Sequence, residues 1–150
     1  MSLKYLNGDI MKKKIYAIFF IITLIGVSTS VFAWREVKKA KEFMAAGMYP
    51  QAISLLEKRV NEKPTDVEGH YQLGICYINT GDYSDANARF SSAVKLEPDY
   101  GYKIGEEWKK AGDEALNAGR DNQASGLYAK AIKYQPNLKN GIVQKAFKGC

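Results

Sequence analysis

The chain has one histidine, two cysteines far apart in the sequence, and no cluster of the two types. A zinc site needs four protein donors, or three and an open position, so His70, Cys76 and Cys150 do not supply one. A C-x-x-C-H haem attachment, a P-loop and a G-x-S-x-G elbow are missing as well. Acidic residues are scattered over what read as solvated faces, and no pair is set apart for acid–base work. No cofactor, no metal and no enzymatic activity are therefore expected. A charge excess is lacking where nucleic-acid binding would need one. The net charge is +6, but residues 34–150 hold 18 basic and 15 acidic side chains, interspersed and without aromatic interleaving. That pattern describes a solvated surface, with no nucleic-acid partner. Long apolar runs are also absent, with one exception.

The exception follows Met11. Lys12, Lys13 and Lys14 are positive, 15–27 is a 13-residue apolar run, and 28–33 is a polar stretch ending small. This is the order of a secretory signal peptide, with Val31 and Ala33 before the cut and Trp34 as the first mature residue. No cysteine follows the run, which excludes lipoprotein processing. The same stretch also reads as a retained anchor. No charge occurs between Lys14 and Arg35, and those 20 residues would span about 30 Å as a helix. Trp34 would then sit in the interfacial aromatic belt. Arg35, Lys38, Lys39 and Lys41 count against easy translocation. Either reading places the remainder outside the cytoplasm, periplasmic or anchored through 15–34 at the inner membrane. Met11 is a second possible start, since the ten residues before it show no periodicity. Residues 1–33 are thus an N-terminal extension and leader, and 34–150 the folded domain.

Within 67–100, His70, Leu73, Gly74, Tyr77, Ala86, Phe90, Ala93 and Pro98 read H-x2-L-G-x2-Y, then A-x3-F-x2-A, then P. Two amphipathic helical patterns flank Thr80-Gly81-Asp82. Gly74 and Ala86 lack bulk, so two antiparallel helices can approach there, and Tyr77 and Phe90 are the large residues beside them. Shifting back 34 residues maps Gly81, Tyr83, Ala86, Phe90 and Pro98 onto Gly47, Tyr49, Ala52, Leu56 and Pro64. Shifting forward 38 maps them, with Tyr83 set aside, onto Gly119, Ala124, Tyr128 and Pro136, and Ala93 onto Ala131. Trp108 then takes the His70 slot and Gly112 the Gly74 slot. The pattern resembles the tetratricopeptide repeat, a 34-residue helix–turn–helix unit with Trp where this stretch has His70. His70 is read as a packing residue, and Cys76 as a small buried hydrophobe.

The resemblance implies an all-α, right-handed helical solenoid of three repeats, about 33–66, 67–100 and 105–138. After Pro136, Ile142, Val143, Ala146 and Phe147 recur at helical spacing, and a capping helix over about 139–148 is expected. Repeat one has Glu36 and Lys39 in apolar slots and Arg59 in the slot of Ala93, which fits an N-terminal cap with a solvated face. Four residues are inserted ahead of repeat three. They either add one turn to its first helix or form a short loop, since Gly101 and Gly105 suit a helix interior poorly. That helix is small and polar and should be the looser one.

The resemblance further implies a non-catalytic interaction module of the bacterial cell envelope, holding a protein or peptide partner in a concave groove lined by the first helices. The candidate partner-binding residues are Lys41, Tyr71, Ile75, Ile78, Asn79, Lys109 and Asp113. Tyr71, Ile75 and Ile78 form an apolar cluster rimmed by Lys41, Asn79 and Lys109. Alternatively, the tail helix or the 100–104 insertion folds over them and they are core. One class of the family clamps a terminal carboxylate with lysines and asparagines; here apolar and acidic residues interrupt such a clamp. The other reading of the whole chain is a structural subunit of an envelope assembly or secretion complex that oligomerises through its repeats.

Overall fold

Three glycines at equivalent places set the reversals of the chain. Gly47, Gly81 and Gly119 have φ of 71°, 86° and 69°, the left-handed region that side chains with a Cβ rarely adopt. Around Gly81 the Asp82 N–H donates to Tyr77 O at 2.8 Å and the Gly81 N–H to Ile78 O at 3.1 Å. The same pair of bonds recurs at Met48 and Gly47, and at Arg120 and Gly119. Each closes a helix C-terminus by satisfying carbonyls that would otherwise lack donors. The turn is thus written three times.

The computed structural model describes Lys14, Tyr16 and residues 35–147. The leader expected over 1–33 lies outside these residues, Lys14 and Tyr16 apart. Helix α1 covers 35–45. It is followed by α2 (Tyr49–Glu62), α3 (Val67–Thr80), α4 (Tyr83–Leu96), α5 (Tyr100–Asn117), α6 (Asp121–Tyr134), a 3-10 turn (Pro136–Leu138) and α7 (Lys139–Phe147). No strand occurs among the described residues, and none of their helices is long and apolar enough to cross a membrane. The architecture of the described residues is an all-α solenoid of three helix pairs closed by α7, as the resemblance implies.

Proline sets the other boundary. Pro64, Pro98 and Pro136 follow α2, α4 and α6, and the residue before each is pushed out of the helical region. Lys63, Glu97 and Gln135 have φ/ψ of −134°/82°, −144°/100° and −141°/84°. Each still donates its N–H back to the helix, to Arg59, Ala93 and Ala131 O.

Within each pair the crossing depends on a missing or minimal side chain. A Cβ on Gly74 would stand 2.5 Å from Phe90 Cε1, and one on Gly112 would stand 2.7 Å from Tyr128 Cδ1. The rings occupy that space instead. In repeat one the equivalent slots hold Ala40 and Leu56, both fully buried. A smaller knob faces a larger floor, so the sum is held.

The inserted residues lengthen α5, which starts at Tyr100 rather than near 105 and runs 18 residues. Gly101 and Gly105 are tolerated because the added turn crosses the end of α6. A Cβ on Gly105 would stand 2.6 Å from Gln135 Cβ. The expected looseness of this helix is not found. Gly101, Ile104, Gly105, Trp108, Ala111, Gly112 and Ala115 are all buried along one stripe, small residues serving close approach rather than slack packing.

Repeat one departs from expectation at Arg59. The side chain is buried, and its Nε donates to Asp66 Oδ2 at 2.5 Å across the joint between repeats one and two. It is a paired internal charge, not part of a solvated cap. Beside it His70 Nε2 donates to Pro64 O at 3.0 Å, so the tryptophan slot holds a ring that also ties down the same joint.

Candidate functional site

Helices α1, α3 and α5 lie side by side, and polar bonds between them prove the adjacency. Lys41 Nζ of α1 meets Glu68 Oε1 of α3 at 2.6 Å. Tyr100 of α5 donates to Glu68 Oε2 at 2.9 Å, and Tyr71 of α3 donates to Glu107 Oε1 of α5 at 3.1 Å. In a helical solenoid this row of first helices is the concave side.

Glu68 is the hub. Burial works to raise its pKa, but hydrogen bonds from Lys41, Gln72 and Tyr100 and the Lys41 charge outweigh it, and the carboxyl sits below its ordinary value. The tyrosines answer in the opposite direction. Burial, then the bonded carboxylate, pushes Tyr100 up to about 12 and raises Tyr71 further. Tyr77, which donates to Glu57 Oε1 at 2.6 Å, is pushed up to about 12 for the same reasons. Tyr128 donates to Asp113 Oδ1 at 2.7 Å and is raised likewise. Four tyrosine–carboxylate bonds thus brace neighbouring helices.

A pH prediction follows. A tyrosine whose folded pKa is raised contributes stability that is whole below its ordinary value of about 10 and is lost as pH climbs through the folded value. Melting temperature should therefore fall between about pH 10 and 12, and Tyr100→Phe should flatten part of that fall. A melting temperature constant up to pH 12 would remove the braces from the account.

The seven residues singled out from the sequence are not equivalent in place. Tyr71 is half-buried: its ring packs edge-on against Tyr100 at 5.3 Å and tilts against Phe90 at 6.0 Å. The inserted turn therefore covers it. Ile75 and Ile78 are half-buried on the same stripe, and Asn79 is exposed, with Nδ2 donating to Ile75 O. Lys41 is exposed and held by Glu68. Lys109 pairs with Asp113 at 3.2 Å one turn on, along α5. Two further residues escaped the sequence reading. Met44 and Leu116 stand at the Ile78 position of repeats one and three, and both are half-buried against the core. Applying the shifts of 34 and 38 to Ile78, as to the core slots, would have found them.

The fold and its turns define a tetratricopeptide-type solenoid. Residues 43–102 match the family model for the tetratricopeptide repeat, from the second half of α1 to the first turn of α5. Over 116 residues the chain is 29% identical to mouse Superkiller complex protein 3, the alignment covering 75% of this chain and 7% of that protein. The human protein of the same name is 27% identical over the same length, with the same coverage. The chain thus spans a small fraction of the curated relatives it matches. Among solved structures it is similar to YrrB, described as a TPR protein with an unusual peptide-binding site. The TM-score is 0.51 at 21% identity, covering 77% of this chain and 57% of that one. At that identity the likeness is one of fold.

Proposed function

We propose that the chain is a non-catalytic interaction module that takes an extended peptide, or an extended segment of a partner protein, along the α1–α3–α5 face. The observation that carries this is the apolar rung Met44–Ile78–Leu116, one residue per repeat at the same helical position, each left partly open. Ile75 joins the rung on α3. A few apolar anchors with a polar border are what peptide affinity concentrates on. Lys41, Asn79, Lys109 and Asp113 form the border, and Tyr71 shapes the floor. The similar YrrB is described as having a peptide-binding site, which supports the reading. The leader pattern supports a place in the bacterial envelope, either exported or held at the inner membrane through 15–34.

The test is selection of binders from a displayed peptide library, followed by substitution. Ile75→Asp and Ile78→Asp should reduce binding of selected peptides at least tenfold, about 1.4 kcal/mol, with melting temperature near wild type. Lys95→Glu, exposed at the end of α4, should leave binding unchanged. Tyr71→Ala is a poor probe, because its ring ties repeats two and three. Equal binding by all the variants would place the partner surface elsewhere.

A further inference from the structure

Residues 35–41 hold four basic side chains and one acidic one. Helix α1 sorts them by face. Lys41 turns toward α3 and meets Glu68, while the half-buried Glu36 meets Lys58 Nζ of α2 at 3.8 Å. Ala40 is buried, and Val37, Phe43 and Met44 are half-buried, so this side of α1 is spent on the fold. Arg35, Lys38 and Lys39 are exposed to solvent on the opposite side, Lys39 Nζ 5.7 Å from the Phe43 ring centre, with Glu42 as the acid beside them. At 100° per residue these four fall within about one third of the helix circumference.

Immediately before this face, 15–34 carries no charge and ends in Trp34. At 1.5 Å per residue, Arg35 to Lys39 lie within about 8 Å of the last uncharged position, roughly one Debye length at physiological salt. We propose that the Arg35–Lys38–Lys39 face of α1 lies on the anionic headgroups of the bilayer that 15–34 enters. This rests on the membrane-held form of the function above. Basic residues next to a membrane entry point are attracted to negatively charged lipid, and the attraction is screened by salt. The face would thereby fix the tilt of the solenoid on the membrane, with its first repeat down and the α3 and α5 positions clear of lipid.

The experiment uses the full chain in vesicles of phosphatidylcholine alone or with phosphatidylglycerol, and reads hydrogen exchange of residues 35–45. Exchange should slow severalfold with phosphatidylglycerol and not with phosphatidylcholine. High salt should abolish the slowing, as should Arg35→Glu/Lys38→Glu/Lys39→Glu, with α4 exchange unchanged as the control for folding. Equal exchange in both lipids, or a charge-reversed variant that behaves as wild type, overturns the proposal. Retention on phosphatidylcholine vesicles through an alkaline carbonate wash is read separately. Loss there sinks the anchor and this proposal together, whereas retention with lipid-independent exchange sinks this proposal alone.

Discussion

Trp108→Ala is expected to cost about 3–5 kcal/mol, the range for truncating a large buried aromatic. The indole is fully buried on α5 and meets two rings of α4. Phe90 lies edge-on at 5.6 Å and Tyr83 is tilted at 6.2 Å. Lys130 of α6 adds a cation 5.2 Å from the ring centre. One side chain therefore joins repeat three to repeat two and α6 to α5. For a domain of this size the loss should lower the melting temperature on the order of 15 °C. Trp108→Phe should lose less, since it keeps a ring beside Phe90. A fall of only a degree or two for alanine would show that the repeats are joined elsewhere.

The second large effect belongs to Gly74. A leucine there must displace the Phe90 ring, whose nearest atom lies 2.5 Å from where even a Cβ would stand. Overpacking of this kind costs about 1–3 kcal/mol. The molecule also holds its own remedy. Repeat one packs Ala40 and Leu56 in these two slots, both buried without a gap to solvent. Gly74→Ala should thus destabilise, and Phe90→Leu added to it should recover part of the loss. Coupling between the two sites of about 0.5–3 kcal/mol is the expectation for residues in contact. Strictly additive losses, read from denaturant melts of the two single variants and the double, would mean that Gly74 and Phe90 do not share the crossing.

The slots that locate the helices were readable because they repeat. Gly47, Gly81 and Gly119, with Pro64, Pro98 and Pro136, mark each reversal by local backbone preference, which needs no knowledge of distant contacts. α3 and α4 lie on either side of the reversal at Gly81, where the two helical patterns predict them. What stayed hidden joins parts far apart in sequence. Tyr77 finds Glu57 twenty positions away, and Tyr71 finds Glu107 thirty-six positions away. No local periodicity marks such a pair. The inserted turn was ambiguous for a similar reason. Gly101 and Gly105 weaken a helix judged alone, and only the end of α6 crossing beside them makes their lack of a side chain an advantage. Arg59 was legible as a misfit in an alanine slot, but its partner Asp66 lies outside α2, at the start of α3. At the candidate face Ile75 and Ile78 were readable from the stripe, whereas the covering of Tyr71 depended on the length of α5.

That added turn also bears on how such an array can change. Repeats that touch only through shared slots are interchangeable units, and a chain made of them can lengthen by copying one. Repeats two and three do not meet those terms. Splicing a second copy of repeat two in place of repeat three would put a glycine equivalent to Gly69 where Glu107 receives Tyr71. Repeats two and three must therefore be inherited together.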